Sequence, residues 1–426
     1  MQRAVALLVL AFSVLCSATA ATDTASNKNR KKTARAAPAD KRERVARPAA
    51  AAPAASRDGE AEARLIEIYK LAGQAKSRDA LTKAERLVKD HPNFQLAQLV
   101  YGDLLAAQAR PLRMLGDVPD GPARAGAGML GDLRQESLLR LKALRERPAP
   151  GTIPSQFLEL SPRNKHAIAV DASRARLYLF ENTTTGLKLL ADYYISVGKS
   201  GTEKSVEGDS RTPLGVYFVT SNLDPKSLKD FYGSGALPIN YPNALDLKRG
   251  KTGSGIWLHG TPPAQFARAP LASDGCVVLA DPDLERIIRT VEVRTTPVVI
   301  AQNLKCVAPH SIKAEGKSFE DALQAWHKAR SGGDMATLTS LYTSDFNSYG
   351  KSLADWTALM RTEADKRAGR PVQLKDLSYL RWTDSTDTMV VTFGEVPSGA
   401  RSGQTRRQYW VRQGSQWKIF FEGVIG

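Results

Sequence analysis

The spacing of apolar residues changes three times along this chain, and those changes constrain its fold more than any single residue does. Over residues 60–108 apolar side chains recur every three or four positions, as Leu65, Ile68, Tyr69 and Leu71, then Leu81, Ala84, Leu87 and Val88, then Phe94, Ala97, Val100 and Leu104. This spacing predicts three short helices, the last two parted by His91, Pro92 and Asn93. A loop-like stretch over 111–128 precedes a basic helix over about 133–147, ended by Pro148, Ala149, Pro150 and Gly151. From Lys165 the pattern becomes that of strands. Residues 167–170 and 176–180 flank a turn and read as a hairpin, and 187–197, 216–220, 255–258 and 297–301 continue the series. Helix is expected in this part only after Asp281 and around Phe231. The third pattern begins with a helical stripe of Phe319, Leu323, Trp326 and Ala329, continues with helices over 335–342 and 353–364, and ends in four strands over 372–382, 388–396, 406–412 and 417–422.

The first sixty residues supply a location. Arg3 precedes an apolar run over 4–15 and then Ala18, Thr19 and Ala20, the charge, core and cleavage-site order of a secretory signal. Cleavage is expected after Ala20. A buried N-terminal helix is the other reading, but the polar segment that follows gives it nothing to pack against. Cys16 follows Leu15, where lipoprotein processing wants a small residue, so this cysteine leaves with the signal. Residues 21–56 hold nine basic and three acidic side chains among Ala, Pro and Ser, and cannot bury a core. They read as a disordered tether, or as a cationic arm that also adsorbs to anionic envelope surfaces, and as dispensable for chemistry. The formal charge of +16 implies an anionic partner. Export argues against nucleic acid, and no later apolar run reaches membrane-spanning length.

With the signal removed, Cys276 and Cys306 remain. A disulfide between them is the structural reading in an oxidising compartment. Local sequence argues otherwise: Cys276 lies in the turn signal Ser273-Asp274-Gly275-Cys276, whereas Cys306 follows a strand pattern and reads as structural or incidental. A catalytic thiol needs a base within hydrogen-bond reach. Of five histidines, His91 sits in a helix break, His166 begins a strand, His310 lies in a linker and His327 faces out of a helix. His259 ends the strand of Ile256, Trp257 and Leu258 and precedes Gly260, where backbone can approach closely. No cofactor is expected, and no metal, because neither a Cys/His cluster nor H-E-x-x-H spacing occurs.

His259-Gly260, followed after twelve residues by Ser273-Asp274-Gly275-Cys276, resembles the signature of YkuD-type L,D-transpeptidases. Thr212-Pro213-Leu214-Gly215 resembles that family's Thr-Pro-x-Gly element, and residues 293–300 its closing strand. Asn240-Tyr241-Pro242-Asn243, with Asp246 and Thr252-Gly253, is similar to the YafK-like branch. Many members have a second histidine where this chain has Asp274. The resemblance implies Cys276 as nucleophile, His259 as general base and acid holding the thiolate as an ion pair, and the Gly260 carbonyl as the group orienting His259. It also implies an oxyanion hole from the backbone N–H groups of Gly275 and Cys276, with Ser273 supporting the turn. Arg211, Tyr241 and Asp274 are candidates for substrate binding, although Asp274 could instead raise the thiol pKa or face solvent. The implied substrate is a peptidoglycan tetrapeptide stem, with a stem amine, a lipoprotein lysine or water as acceptor. Cleavage of peptidoglycan–lipoprotein or cross-link bonds is an alternative, and a non-catalytic wall-binding scaffold is another.

The helices over 60–108 resemble tetratricopeptide units too few to stand alone, so they are expected to pack on another part of the chain. The C-terminal pattern resembles a SnoaL-like, or nuclear transport factor two-like, α+β cone. In it Trp326, Trp356, Trp410, Trp417, Phe420 and Phe421 read as core, while Asp345, Asp355 and Glu395 read as ordinary surface charges. The expected organisation is therefore multidomain: a signal peptide over 1–20, a basic linker over 21–58, a tetratricopeptide-like helical segment over 60–108, a loop and basic helix over 109–160, a mainly β YkuD-type catalytic domain over 161–305, a linker over 306–317, and an independently folding SnoaL-like domain over 318–426. The setting is the periplasm. An envelope protein is an expected partner of the helical and SnoaL-like parts.

Overall fold

The computed structural model describes residues 59–117 and 126–425, so the signal-peptide and basic-arm expectations lie outside the described residues. Helices α1 (Glu60–Gly73), α2 (Ser77–Asp90) and α3 (Gln95–Ala106) occur where the apolar spacing placed them. Ala80, Ala84 and Leu87 line one face of α2 and meet Leu65 and Ile68 of α1 and Leu96, Ala97 and Val100 of α3. Helix α4 (Ala127–Arg145) starts earlier than its sequence pattern suggested. It buries Glu136, Ser137 and Arg140, a polar face that apolar periodicity does not detect.

These helices lean on the β domain instead of stacking on further repeats. Phe94 stacks on Phe266 with ring centroids 4.3 Å apart, and the Phe266 N–H donates to the Asn93 carbonyl at 2.9 Å. Beneath them lies a buried ion cluster. Glu62 of α1 accepts from Arg176 at 2.8 Å and from Arg140 at 2.9 Å, Arg140 also bonds Glu136 at 2.7 Å, and Arg176 bonds Asp192. Burial alone would raise the Glu62 carboxyl pKa, but Arg176 and Arg140 hold it below its ordinary value. The Arg140 guanidinium also lies 4.0 Å from the Tyr194 ring centroid.

The β domain is built on a five-stranded sheet ordered Gly186–Tyr194, Arg176–Thr183, His166–Asp171, Pro297–Ala301 and Gly215–Phe218. Pro297–Ala301 runs parallel to His166–Asp171 and antiparallel to Gly215–Phe218. Side chains alternate across this sheet. Ile168, Val170, Leu177, Val298 and Ile300 face a core shared with Leu237, Leu258, Val277, Leu284 and Ile287. Ala167, Ala169, Phe180, Val216, Phe218 and Val299 face Leu380, Trp382, Val390, Tyr409 and Phe420 of the C-terminal domain. Because both faces are covered, the central strands read as continuous apolar runs.

The C-terminal domain consists of helices packed on an antiparallel sheet of Val372–Thr383, Asp387–Pro397, Gln404–Gln413 and Gln416–Val424. Phe319, Trp326, Trp410 and Trp417 belong to its core. Three expectations change here. The linker over 306–317 is ordered: Cys306–Val307 pairs with Ile153–Pro154, and one helix runs over Pro309–Gly332. Phe157–Glu159 joins the C-terminal sheet as its fifth strand, so that sheet is not confined to 318–426. Glu395 is buried and bonds Arg330 at 2.8 Å and also Arg406, which in turn reaches Glu422 at 3.1 Å. A charged residue on a strand carries no periodic sign of such a partner. Among the described residues no helix is long and apolar enough to cross a membrane.

Two outcomes follow from this packing. Glu62→Ala leaves two buried arginines short of a carboxylate and should lower unfolding free energy by about 3–5 kcal/mol in denaturant titrations. Residues 318–426 alone lack their fifth strand and the cover for Leu380, Trp382 and Tyr409. They should bind a hydrophobic dye and unfold broadly; a sharp, dye-free transition would show that the covered face is dispensable.

Candidate active site

Trp257–His259 is the middle strand of a three-stranded sheet, antiparallel to Ala236–Pro238 and parallel to Val277–Val278. The register pairs Val277 with Leu258 and Val278 with His259, which brings Cys276 opposite Trp257. The Trp257 N–H donates to the sulfur at 3.4 Å, and the thiol is 3.4 Å from the Gly255 carbonyl.

His259 is 1% exposed. Its Nδ1 lies 2.7 Å from the Gly260 carbonyl oxygen. A carbonyl only accepts, so the proton resides on Nδ1 and Nε2 keeps its lone pair, the tautomer a general base needs. Tyr232 and Phe231 hold the ring from the side, with centroids 5.1 and 5.9 Å away. Position 260 must be glycine, since a Cβ there would stand 1.9 Å from Asp281 Oδ1. That oxygen accepts from the backbone N–H groups of Ser234 at 2.8 Å and Thr261 at 3.2 Å, which fastens the chain on both sides of the orienting carbonyl.

The turn that carries Cys276 is held from within and from behind. The Ser273 hydroxyl donates to the Cys276 carbonyl at 2.7 Å and accepts the Gly275 N–H at 3.1 Å. That second bond uses the N–H expected to face an oxyanion, leaving the Cys276 N–H as the remaining candidate of the two. Gly275 has φ of +124°, and a Cβ there would meet the Arg211 carbonyl at 2.6 Å. The buried Thr212 hydroxyl donates to the Gly275 carbonyl and accepts the Gly198 N–H, both at 2.9 Å.

Of the expected substrate-binding residues, Asp274 lies close enough for its charge to raise the Cys276 thiol pKa, while Tyr241 and Arg211 are engaged elsewhere. Tyr241 belongs to the core and donates its hydroxyl to the Thr252 carbonyl at 3.0 Å; burial lifts its pKa to about 12. Arg211 donates to the Thr202 carbonyl at 2.9 Å, and its own carbonyl lies against Gly275. Asp274 turns to the surface and pairs with Lys199 at 2.7 Å, which holds its carboxyl below the ordinary value.

Residues 165–300 match the L,D-transpeptidase catalytic domain family, YkuD, and residues 318–423 match the Cds6 C-terminal NTF2-like domain. The chain carries a YkuD domain. Among solved structures it is similar to Bd1075 of Bdellovibrio bacteriovorus, with 23% identity and a TM-score of 0.54 over 64% of this chain and 98% of that one. It is also similar to the helical cell shape determining protein Pgp2 of Campylobacter jejuni, with 19% identity and a TM-score of 0.50 over 68% of this chain and 99% of that one. At these identities the likeness establishes fold alone. No curated protein matches the chain.

Burial opposes charge on both partners of the YkuD site. Burial pushes His259 down to about 4 and the Cys276 thiol up to about 11, and the nearby Arg268 charge lowers both. Among the described residues no hydrogen bond joins the imidazole to the sulfur. Desolvation thus works against the expected ion pair, which would need a bound substrate or a closer approach to offset it. Cys276 and Cys306 are both free, and burial also raises the Cys306 pKa to about 11. Among the described residues no group of three or more His, Cys, Asp or Glu is arranged for a metal.

Sequence reasoning assigned no role to Asp281, Arg268, Phe231 or Thr212. Only Thr212 had a signal, as part of Thr-Pro-x-Gly. Alkylation of Cys276 by iodoacetamide should increase with pH toward a midpoint of about 11. A reactivity plateau already reached near neutrality would instead establish a resting thiolate.

Proposed function

We propose that this chain is a periplasmic cysteine acyltransferase acting on peptidoglycan tetrapeptide stems. The observation that carries this reading is His259, fixed through Nδ1 by the Gly260 carbonyl on the strand beside Cys276. The YkuD match supports peptidoglycan as the substrate. As the donor's third-residue L-centre carbonyl arrives, His259 Nε2 takes the thiol proton while sulfur attacks. The S–C bond forms, the amide C–N bond breaks, and His259 returns the proton to the departing amine of D-alanine. The developing oxyanion is met by the Cys276 backbone N–H. An amine or water then attacks the thioester, giving its proton to His259 and thence to the sulfur.

A stem amine would produce a cross-link, a lipoprotein lysine a wall anchor, and water a trimmed stem. The name of Pgp2 as a cell shape determining protein supports wall remodelling in the service of cell shape. The NTF2-like domain and the helices are proposed to recruit an envelope partner.

Purified protein given tetrapeptide-bearing muropeptides should release D-alanine and show a thioester adduct by mass spectrometry, with product identity set by whether an amine is supplied. Cys276→Ala should abolish the adduct, and His259→Ala should slow acylation by roughly 10²–10⁴-fold near neutrality. Absence of turnover with and without an amine would return the chain to a wall-binding scaffold.

A further inference from the structure

Arg268 is the sole arginine or lysine in the segment between His259 and Cys276. That segment leaves the strand of the base and returns to the turn of the nucleophile, and Arg268 is half-buried within it. Its guanidinium lies 4.3 Å from the Phe231 ring centroid, and Nη2 donates weakly to the Phe231 carbonyl at 3.4 Å. The same Phe231 ring flanks His259 at 5.9 Å. Among the described residues no carboxylate comes within ion-pair distance of Arg268. The acidic groups that act on it are the Cys276 thiol and then Asp274, and Asp274 is engaged by Lys199. An arginine has five N–H donors in a planar fork, and the one weak bond to Phe231 leaves most of this fork open to a ligand.

The surroundings give those donors a direction. Arg268 and Phe231 line a cleft of about 790 Å³, whose other wall is formed by Gln95 of α3 and Met129 and Leu133 of α4. Arg268 therefore lines the cleft while resting on Phe231, whose ring also packs beside His259, and its charge acts on both His259 and Cys276. Of the acidic groups facing that cleft from α4, Glu136 is committed to Arg140, and Asp132 is exposed.

We propose that Arg268 receives the terminal carboxylate of the residue released in the acyl-transfer step, so that the site selects donors ending in a free acid one residue beyond the scissile amide. This inference rests on the reading under Proposed function. In such a donor the carboxyl carbon is two bonds from the leaving nitrogen, which keeps the anion beside the reacting atoms. Adding one more residue moves it outward by about 3.8 Å, away from a guanidinium pinned on Phe231. A planar fork suits a carboxylate in bidentate fashion, whereas a neutral carboxamide places donor hydrogens against donor hydrogens. Recognition across the cleft also makes the helical segment part of the donor site, through the wall supplied by α3 and α4.

The test compares a soluble tetrapeptide stem with its C-terminal carboxamide on wild type, Arg268→Gln and Arg268→Lys, with thermal melts confirming folding. The wild type should favour the acid by roughly tenfold to a hundredfold in kcat/KM, chiefly through KM. Arg268→Gln should bring the acid-to-amide ratio to within about threefold, and Arg268→Lys should keep part of it. The ratio is the readout, because the Arg268 charge also acts on the thiol and will change absolute rates. Equal use of acid and amide by the wild type, or an undiminished acid preference in Arg268→Gln, overturns the proposal. If the wild type turns over neither peptide, the function reading fails by itself. Equilibrium binding of acid and amide to the wild type and to Arg268→Gln then decides the recognition claim: an acid preference lost on substitution sustains it, and its absence refutes it.

Discussion

The burial of one five-stranded sheet on both faces is the constraint from which the rest of this protein is organised. One face carries Ile168, Val170, Val298 and Ile300 against the layer that bears the reacting residues, and the other carries Ala167, Ala169, Val216 and Val299 against the NTF2-like domain. A two-sided apolar sheet cannot stand in water, because each covered side chain would otherwise expose surface worth about 25 cal/mol per Å². The strands therefore require a partner on each side. The chain supplies one from the sequence around the catalytic turn and the other from its last hundred residues.

That requirement explains why domain boundaries read from sequence are too sharp. Phe157–Glu159 lies before the catalytic domain in sequence and belongs to the C-terminal sheet in space. The helix Pro309–Gly332 runs through the expected linker without interruption. The helical segment is tied in by a different force. Glu62, Arg140, Arg176 and Asp192 form a buried polar joint in which geometry offsets the cost of desolvating four charges.

Within the site, close backbone approach decides the chemistry. Gly260 and Gly275 have no space for a Cβ, and their carbonyl and turn geometry are fastened by Asp281, Ser273 and Thr212. The same burial that orders His259 and Cys276 opposes charge on both. In the proposed reaction, charge would develop as a substrate carbonyl accepts the sulfur, among fixed dipoles that need little reorganisation. Arg268 contributes a positive field at that point without joining the pair.

The sequence by itself determined the order of helical and strand segments, the placing of His259 and of the Ser273–Cys276 turn, and the glycines that flank them. These are local properties: apolar period, turn chemistry and the absence of a side chain are written over a few consecutive residues. For Tyr241 and Asp274 the motif gave position along the chain and not direction. One side chain turns into the core and the other to Lys199. Tertiary structure alone decided the ion pairs of Glu62 and Glu395, the borrowed strand at Phe157–Glu159, the burial of His259 and Cys276 and the station of Arg268. Each depends on groups far apart in sequence meeting in space and on how much water their meeting excludes, and neither quantity has a local signature in the chain.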